Sequence, residues 1–305
     1  MKLGLLTAPF PETPLTDVAD WSAANGYSML EVACWPATGG EARRYAGTSH
    51  IDVAKLSKSR ASELVGDLRS RGIEISALGY YPNNLHPDPA HRKVVNDHLK
   101  KVISAAARLE VPVVNTFIGA DQTKTQQQNY KDAQKNWPAL IKFAGDNDVK
   151  IAIENCPMIF SNDEFPSGHN LAYTPAIWRR MFEDWGPNIG LNLDPSHLVW
   201  QMIDIERVVR EFAPRIFHVH GKDLEIDREG LYNHGILSLG MGWQIPRIPG
   251  LGEVPWNRFI SALYKVGYDY VLCVEHEDRQ FEGADERIKA GFVLAKNTLA
   301  PLLVS

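Results

Sequence analysis

The chain has 305 residues, enough for two domains of ordinary size or for one large α/β unit. Its 32 Lys and Arg stand against 37 Asp and Glu, so the net charge is −5 and no basic field draws it to nucleic acid or an anionic membrane. Apolar residues at 44% and charged residues at 23% suit a packed globule and exclude a disordered chain.

The elements follow in chain order. The opening apolar run, Leu3–Thr7, reads as a strand; it is too short for a signal peptide or a membrane span, so the expectation is a soluble, cytoplasmic protein. A second strand follows at Met29–Cys34, then a helix near 54–71 and a strand at Ile73–Gly79. Val95, Leu99, Val102, Ile103 and Ala106 share one helical face. Strands at Val111–Ile118 and Val149–Cys156 flank a helix at 132–147, and a long loop occupies 157–173. Helix 175–185, strand Ile189–Asp194, helix 203–212 and strand Ile216–His220 come next. The stretch 224–254 is rich in Gly and Pro; beyond it lie helix 256–266, strand Val271–Glu275 and helix 284–302. Strands alternating with helices build βαβ units and a parallel sheet. Eight such units close into one (β/α)8 barrel spanning residues 1–305, with a long loop after the seventh strand. An open doubly wound sheet would place a Gly-rich turn after its first strand, where this chain has Thr7-Ala8-Pro9-Phe10-Pro11. Loops as long as 224–254 on the C-terminal rim of a barrel are more often functional than idle. The three cysteines, Cys34, Cys156 and Cys273, form neither a disulfide framework nor a Cys-x-x-Cys zinc signature.

Four strands end in residues that a purely apolar strand avoids. They read Ile153-Glu154-Asn155, Leu193-Asp194, His218-Val219-His220 and Val274-Glu275-His276. Side chains alternate with period two along a strand. Ile151 and Ile153, Leu191 and Leu193, Phe217 and Val219, and Leu272 and Val274 take the phase that packs under the outer helices. Ala152 and Glu154, Asn192 and Asp194, His218 and His220, and Cys273 and Glu275 take the inward phase. Glu154, Asp194, His220 and Glu275 are thereby expected at the C-terminal mouth, where barrels do their chemistry. Three carboxylates and an imidazole in a partly dry cavity need a cation between them. Oxygen-rich ligation with one nitrogen puts Mn²⁺ first, Mg²⁺ or Co²⁺ as substitutes, and Zn²⁺ behind them. The plainer alternative is four ordinary strand-end polar residues that never meet.

The runs Ile-Glu-Asn at 153–155, Leu-Asp-Pro-Ser-His at 193–197, His-Val-His-Gly-Lys-Asp at 218–223 and Val-Glu-His at 274–276 resemble the sugar phosphate isomerase/epimerase superfamily of xylose-isomerase-like TIM barrels. The resemblance implies one divalent cation on Glu154, Asp194, His220 and Glu275. It also implies that Glu154 and Glu275 act as an acid/base pair on opposite faces of a sugar. One carboxylate would remove a proton next to the sugar carbonyl and the other return it, through a metal-stabilised enediolate. His197 matches the superfamily's substrate-hydroxyl contact. Lys222 is placed for a hydroxyl or oxyanion contact, and Trp243, Arg247 and Tyr81 are candidate substrate contacts. Trp35, Tyr80 and Phe117 suit either aromatic walls or core. His276 falls in the outward phase and is set aside.

The sequence after the histidine ligand, Leu224-Glu225-Ile226, lacks the Arg expected of ketose 3-epimerases. In the long 224–254 loop the run Ile-Pro-Gly-Leu-Gly-Glu at 248–253, with Lys222-Asp223 just after the histidine, looks more like the branch that acts on larger or oxidised sugars, which includes enzymes that eliminate the aglycone from 3-oxo-glycosides, such as C-glycoside deglycosidase catalytic subunits. A metal-dependent sugar isomerase or epimerase is therefore the first expectation, with the 3-oxo-glycoside lyase as the alternative. The expected partners are a carbohydrate or glycoside and either further copies of this chain or a small β-rich subunit, with neither nucleic acid nor membrane. An endonuclease IV-like nuclease is remote, because the third and fourth strands end without histidine and the net charge is negative.

Overall fold

The computed structural model describes residues 1–37, 46–159, 168–236 and 242–304. Eight parallel strands follow one another around a closed barrel: β1 (Lys2–Leu6), β2 (Met29–Ala33), β3 (Glu74–Gly79), β4 (Val113–Thr116), β5 (Lys150–Glu154), β6 (Ile189–Leu193), β7 (Ile216–Gly221) and β10 (Val271–Val274), which pairs back to β1. The two intervening strands, β8 (Asp223–Ile226) and β9 (Gln244–Arg247), form a separate antiparallel hairpin. The barrel helices are α1 (Leu15–Ala24), α2 (Lys58–Ser70), α3 (Pro89–Arg108), α4 (Gln126–Gly145), α5 (Pro175–Trp185), α7 (Ile205–Phe212), α9 (Trp256–Lys265) and α10 (Asp285–Leu299). Two short helices, α6 (Ser196–Trp200) and α8 (Arg228–His234), sit in the loops that follow β6 and β8. Among the described residues no helix is long and apolar enough to cross a membrane.

Every strand and helix expected from the sequence is present, and among the described residues three helices (α1, α6 and α8) and the strands β8 and β9 were not foreseen. The buried face of α1 is only Leu15, Val18, Ala19 and Ser22, too short a stripe to stand out. The helix expected at 132–147 starts earlier because Thr125 and Gln128 form a capping box. Thr125 Oγ1 accepts from Gln128 N at 3.3 Å, and Gln128 Oε1 accepts from Thr125 N at 2.8 Å.

On the outer face of the strands, Leu30, Leu78, Val114, Ile151, Ile153, Leu191, Leu193, Val219, Leu272 and Val274 are fully buried in one core under the helices. Burying each such side chain contributes about 1.5–3 kcal/mol. Inside the barrel, Ala77, Val113 and Ala152 pack with Phe217 and Tyr270. Phe217 corrects the phase read from the sequence. The pairing of β6 with β7 passes from Leu191↔Ile216 to Asn192↔His218, so Phe217 is an extra residue and turns inward. Gly190 leaves the room, since a Cβ there would lie 2.6 Å from the Phe217 ring.

The 224–254 stretch is not a plain rim loop. Asp223 pairs with Arg247 and Ile226 with Gln244, and α8 lies between the two strands. Residues 237–241 of this stretch, and 160–167 of the loop after β5, lie outside the described residues. Trp243, Trp200 and Leu224 bury one another in a small core under the hairpin. Asp223 pins the return strand to the barrel. Its carboxylate accepts from Leu224 N, Gly250 N and Val254 N at 2.9 Å each and from Trp256 Nε1 at 2.8 Å.

Candidate metal centre and active site

Four neighbouring staves of the barrel deliver one cluster to its C-terminal mouth. Glu154 ends β5, Asp194 and Glu275 follow β6 and β10 directly, and His220 lies near the end of β7. All four are buried, and their ligand atoms lie within 4.8 Å of one another. The backbone around them is fixed by two asparagines. Asn155 Oδ1 accepts from Asp194 N at 2.7 Å, and its Nδ2 donates to Asp194 O at 3.0 Å. Asn170 Nδ2 donates to the carbonyls of Glu154 and Cys156, at 2.9 and 2.7 Å.

Lys222 enters the same cluster. Its Nζ lies 2.7 Å from Glu275 Oε2, 3.0 Å from Asp194 Oδ2, 3.3 Å from Glu277 Oε2 and 3.7 Å from Glu154 Oε1. Burial alone would lower the Lys222 pKa, but these carboxylates hold it well above the ordinary value. The two glutamates are pushed apart. Burial, then the charge of Glu275, raises the Glu154 pKa. Burial acts the same way on Glu275, yet Lys222 and His220 outweigh it and hold that carboxyl far below the usual range.

The residues fit a divalent cation. Four carboxylates crowd around the Lys222 ammonium, and a cation between them would offset the repulsion of Glu154 by Glu275. Asp194 Oδ2 and His220 Nδ1 are buried without a well-directed hydrogen bond. The donor set of carboxylate oxygens and one imidazole nitrogen suits a hard or borderline ion.

Sequence reasoning missed Glu31, a fully buried carboxylate on β2. Its Oε2 accepts from His220 Nε2 at 2.8 Å, and its Oε1 accepts from the Tyr81 hydroxyl. Binding the imidazole through Nε2 turns Nδ1 toward Glu275, 3.1 Å away. Burial favours a neutral Glu31, but His220 outweighs it and the pKa falls below the ordinary value. Gly79 permits the approach, because a Cβ there would lie 2.6 Å from Glu31 Oε1. A period-two reading of Met29-Leu30-Glu31-Val32-Ala33 places Glu31 in phase with inward-facing residues, so the signal was there. One layer down, His218 Nδ1 donates to Asn192 Oδ1 at 2.9 Å and its Nε2 accepts from Ser76 Oγ at 3.2 Å. Burial pushes His218 down to about 3, so it is a neutral structural ring.

The remaining candidates divide. His197 reaches the cluster, with Nε2 3.2 Å from Asp194 Oδ2 and 3.4 Å from Glu154 Oε1. Tyr81 reaches it through Glu31 and lies with its ring 5.1 Å from that of Phe117. Arg247 ties the hairpin to the loop after β10, 3.3 Å from Glu225 and 3.5 Å from Asp278. Trp243 is 1% exposed and stands edge-on to Trp200, inside the hairpin's core instead of on the cluster. Trp35 and Tyr80 are buried against each other in the main core. His276 packs outward against Phe292.

A family profile described as "Xylose isomerase-like TIM barrel" matches residues 19–297. The chain belongs to that family. The uncharacterized protein YfiH of Bacillus subtilis (strain 168) is 28% identical over 315 residues, covering 91% of this chain and 93% of that protein. Among solved structures, the IOLI protein with a bound zinc atom superposes with a TM-score of 0.72 at 18% identity, over 100% of both chains. The D-psicose 3-epimerase of Clostridium cellulolyticum H10, crystallised with D-tagatose, gives 0.69 at 18% identity, over 98% of this chain and 99% of that one. At such identities the likeness shows the fold.

Proposed function

We propose that this xylose isomerase-like barrel is a divalent-cation-dependent sugar isomerase or epimerase, with Glu154 and Glu275 as the proton-transfer pair. The observation that carries the reading is the convergence of Glu154, Asp194, His220 and Glu275, four buried side chains with ligand atoms within 4.8 Å of one another. A cation held there would polarise the carbonyl and hydroxyl oxygens of a sugar and offset the charge that develops as a neighbouring C–H proton leaves. Mn²⁺ is the first choice, and the zinc atom bound by the IOLI protein, which shares the fold, supports a divalent ion.

The chain's own groups then divide the work. Glu275 is the member of the pair that Lys222 and His220 keep ionised, and so the one with an open lone pair to accept the proton from carbon. The C–H electron pair moves into the enediolate, and Glu154, the member of the pair whose pKa is shifted upward, would return a proton to the same or the adjacent carbon. Lys222 sits within reach of four carboxylates and would also face a substrate oxygen that bears charge. His197 offers its Nε2 edge to a sugar hydroxyl.

The hairpin of β8 and β9 on the rim favours a second reading, elimination of the aglycone from a 3-oxo-glycoside. The first proton step is the same, and the enediolate then expels a leaving group at the β-carbon. The test offers Mn²⁺-loaded chain free ketoses and aldoses, then 3-oxo-glycosides, in deuterated water. Deuterium in a recovered or epimerised sugar supports the first reading. Aglycone release with no turnover of any free sugar overturns it in favour of the second, and repeating the assay with candidate partner chains shows whether elimination needs one.

A further inference from the structure

His197 is held from behind as well as facing the cluster. It lies on α6, and its second ring nitrogen, Nδ1, is 3.3 Å from the indole Nε1 of Trp200, one turn along the same helix. An indole N–H can donate but has no lone pair to offer. In a neutral ring Nδ1 is then the acceptor and the single ring proton stands on Nε2. Trp200 is in turn wedged edge-on against Trp243, with ring centroids 6.2 Å apart at 84°, in the small core that also buries Leu224 of β8.

This arrangement decides between two uses of His197. Glu154, Cys156 and His197 could offer ligand atoms within 4.8 Å of one another, as a second cation site would require. A ligating nitrogen must present its lone pair, and the Trp200 contact has claimed that of Nδ1 while leaving a hydrogen on Nε2. The site-facing edge is thus a donor. That Nε2 is buried, and its nearest acceptors, Asp194 Oδ2 at 3.2 Å and Glu154 Oε1 at 3.4 Å, are not well aimed to receive its hydrogen.

We propose that Trp200 is a positioning residue that locks His197 as an Nε2–H donor, committed to an acceptor oxygen of the substrate — a sugar hydroxyl or an oxyanion — between Glu154 and Asp194. The hairpin core, through Trp243 and Trp200, thereby sets the polarity of one wall of the pocket. The substrate part of this inference rests on the sugar-enzyme reading above; the proton placement does not.

Trp200→Phe is the discriminating variant, because it keeps an aromatic ring beside Trp243 while removing the N–H. In nitrogen-edited NMR of the Mg²⁺-loaded protein, with His197→Asn identifying the signals, wild type should show a protonated Nε2 and a bare Nδ1. Trp200→Phe should shift the His197 pattern toward a mixture of tautomers and lower kcat/KM about tenfold, as loss of one aligned hydrogen bond does. A wild-type spectrum with the proton on Nδ1, or on both nitrogens, overturns the proposal whatever the activity. So does a Trp200→Phe spectrum unchanged at His197. The expected spectra in a protein that turns over no sugar would support the role of Trp200 and count against the sugar reading alone.

Discussion

At the scale of single residues, Glu31 shows how a site can depend on a group outside its ligand set. Its carboxylate fixes which nitrogen of His220 faces the cluster, the arrangement in which a second carboxylate orients a ligand histidine. Glu31→Gln should weaken Mn²⁺ binding about 10–100-fold while leaving all four ligands in place, as measured by calorimetric titration. Affinity equal to wild type would remove Glu31 from the metal's support. Its titration makes a separate prediction. An unfolded Glu ionises near pH 4.3, and the folded Glu31 ionises lower because of His220. Its stabilisation is therefore fully present above about pH 4.3 and is lost as the pH falls through the folded value. Melting temperatures followed from neutral pH into acid should decline less steeply for Glu31→Gln than for wild type, and parallel curves would show that the group carries no such linkage.

At the scale of elements, the hairpin depends on one carboxylate more than on its own strands. Asp223 collects four N–H donors from residues 224 to 256, so Asp223→Ala leaves buried donors unpaired. Each unsatisfied buried group costs about 1–3 kcal/mol. Even if solvent reaches some of them, a net loss of about 3 kcal/mol is expected, or roughly 6–10 °C in the unfolding midpoint. Asp223→Asn, which keeps one acceptor oxygen, should fall between; a wild-type midpoint for the alanine variant would mean that the return strand is held by something else. This element was also the least legible in the sequence. Strands and long helices announce themselves through periods of 2 and 3.6, and α3 with Val95, Leu99, Val102 and Ile103 is the clearest case. The β8–β9 ladder has no such period, because Pro246 and a Gly-rich connection interrupt it and its pairing partners are set by Asp223. Phe217 misled for a related reason: a single extra residue in β7 reverses the phase, and no local pattern marks a bulge. Glu31 was legible but went unread, because one carboxylate in a buried strand means little until His220 is known to lie opposite it.

At the scale of the whole molecule, the four proposed ligands come from β5, β6, β7 and β10, consecutive staves that make up half of the barrel's circumference. The same convergence explains why the mouth was readable from sequence: four strand ends in one phase must meet if the barrel closes. It also makes metal binding a property of the folded state, since the unfolded chain cannot gather residues as distant as Glu154 and Glu275. A ligand that binds only the native state stabilises it by RT ln(1 + [L]/Kd), about 2.7 kcal/mol at one hundred times Kd. Mn²⁺ at that excess should raise the melting temperature of the chelator-treated protein by roughly 5–10 °C, independently of any assay of turnover. Asp194→Asn should abolish most of that shift, because Asp194 Oδ2 is aimed into the cluster. Its own metal-free midpoint should stay close to wild type, since the backbone contacts from Asn155 and the link from Ser196 N to the side chain survive the change. If Asp194→Asn and wild type gain the same number of degrees from Mn²⁺, the ion binds elsewhere, and the convergence of four strand ends would have to be explained by Lys222 alone.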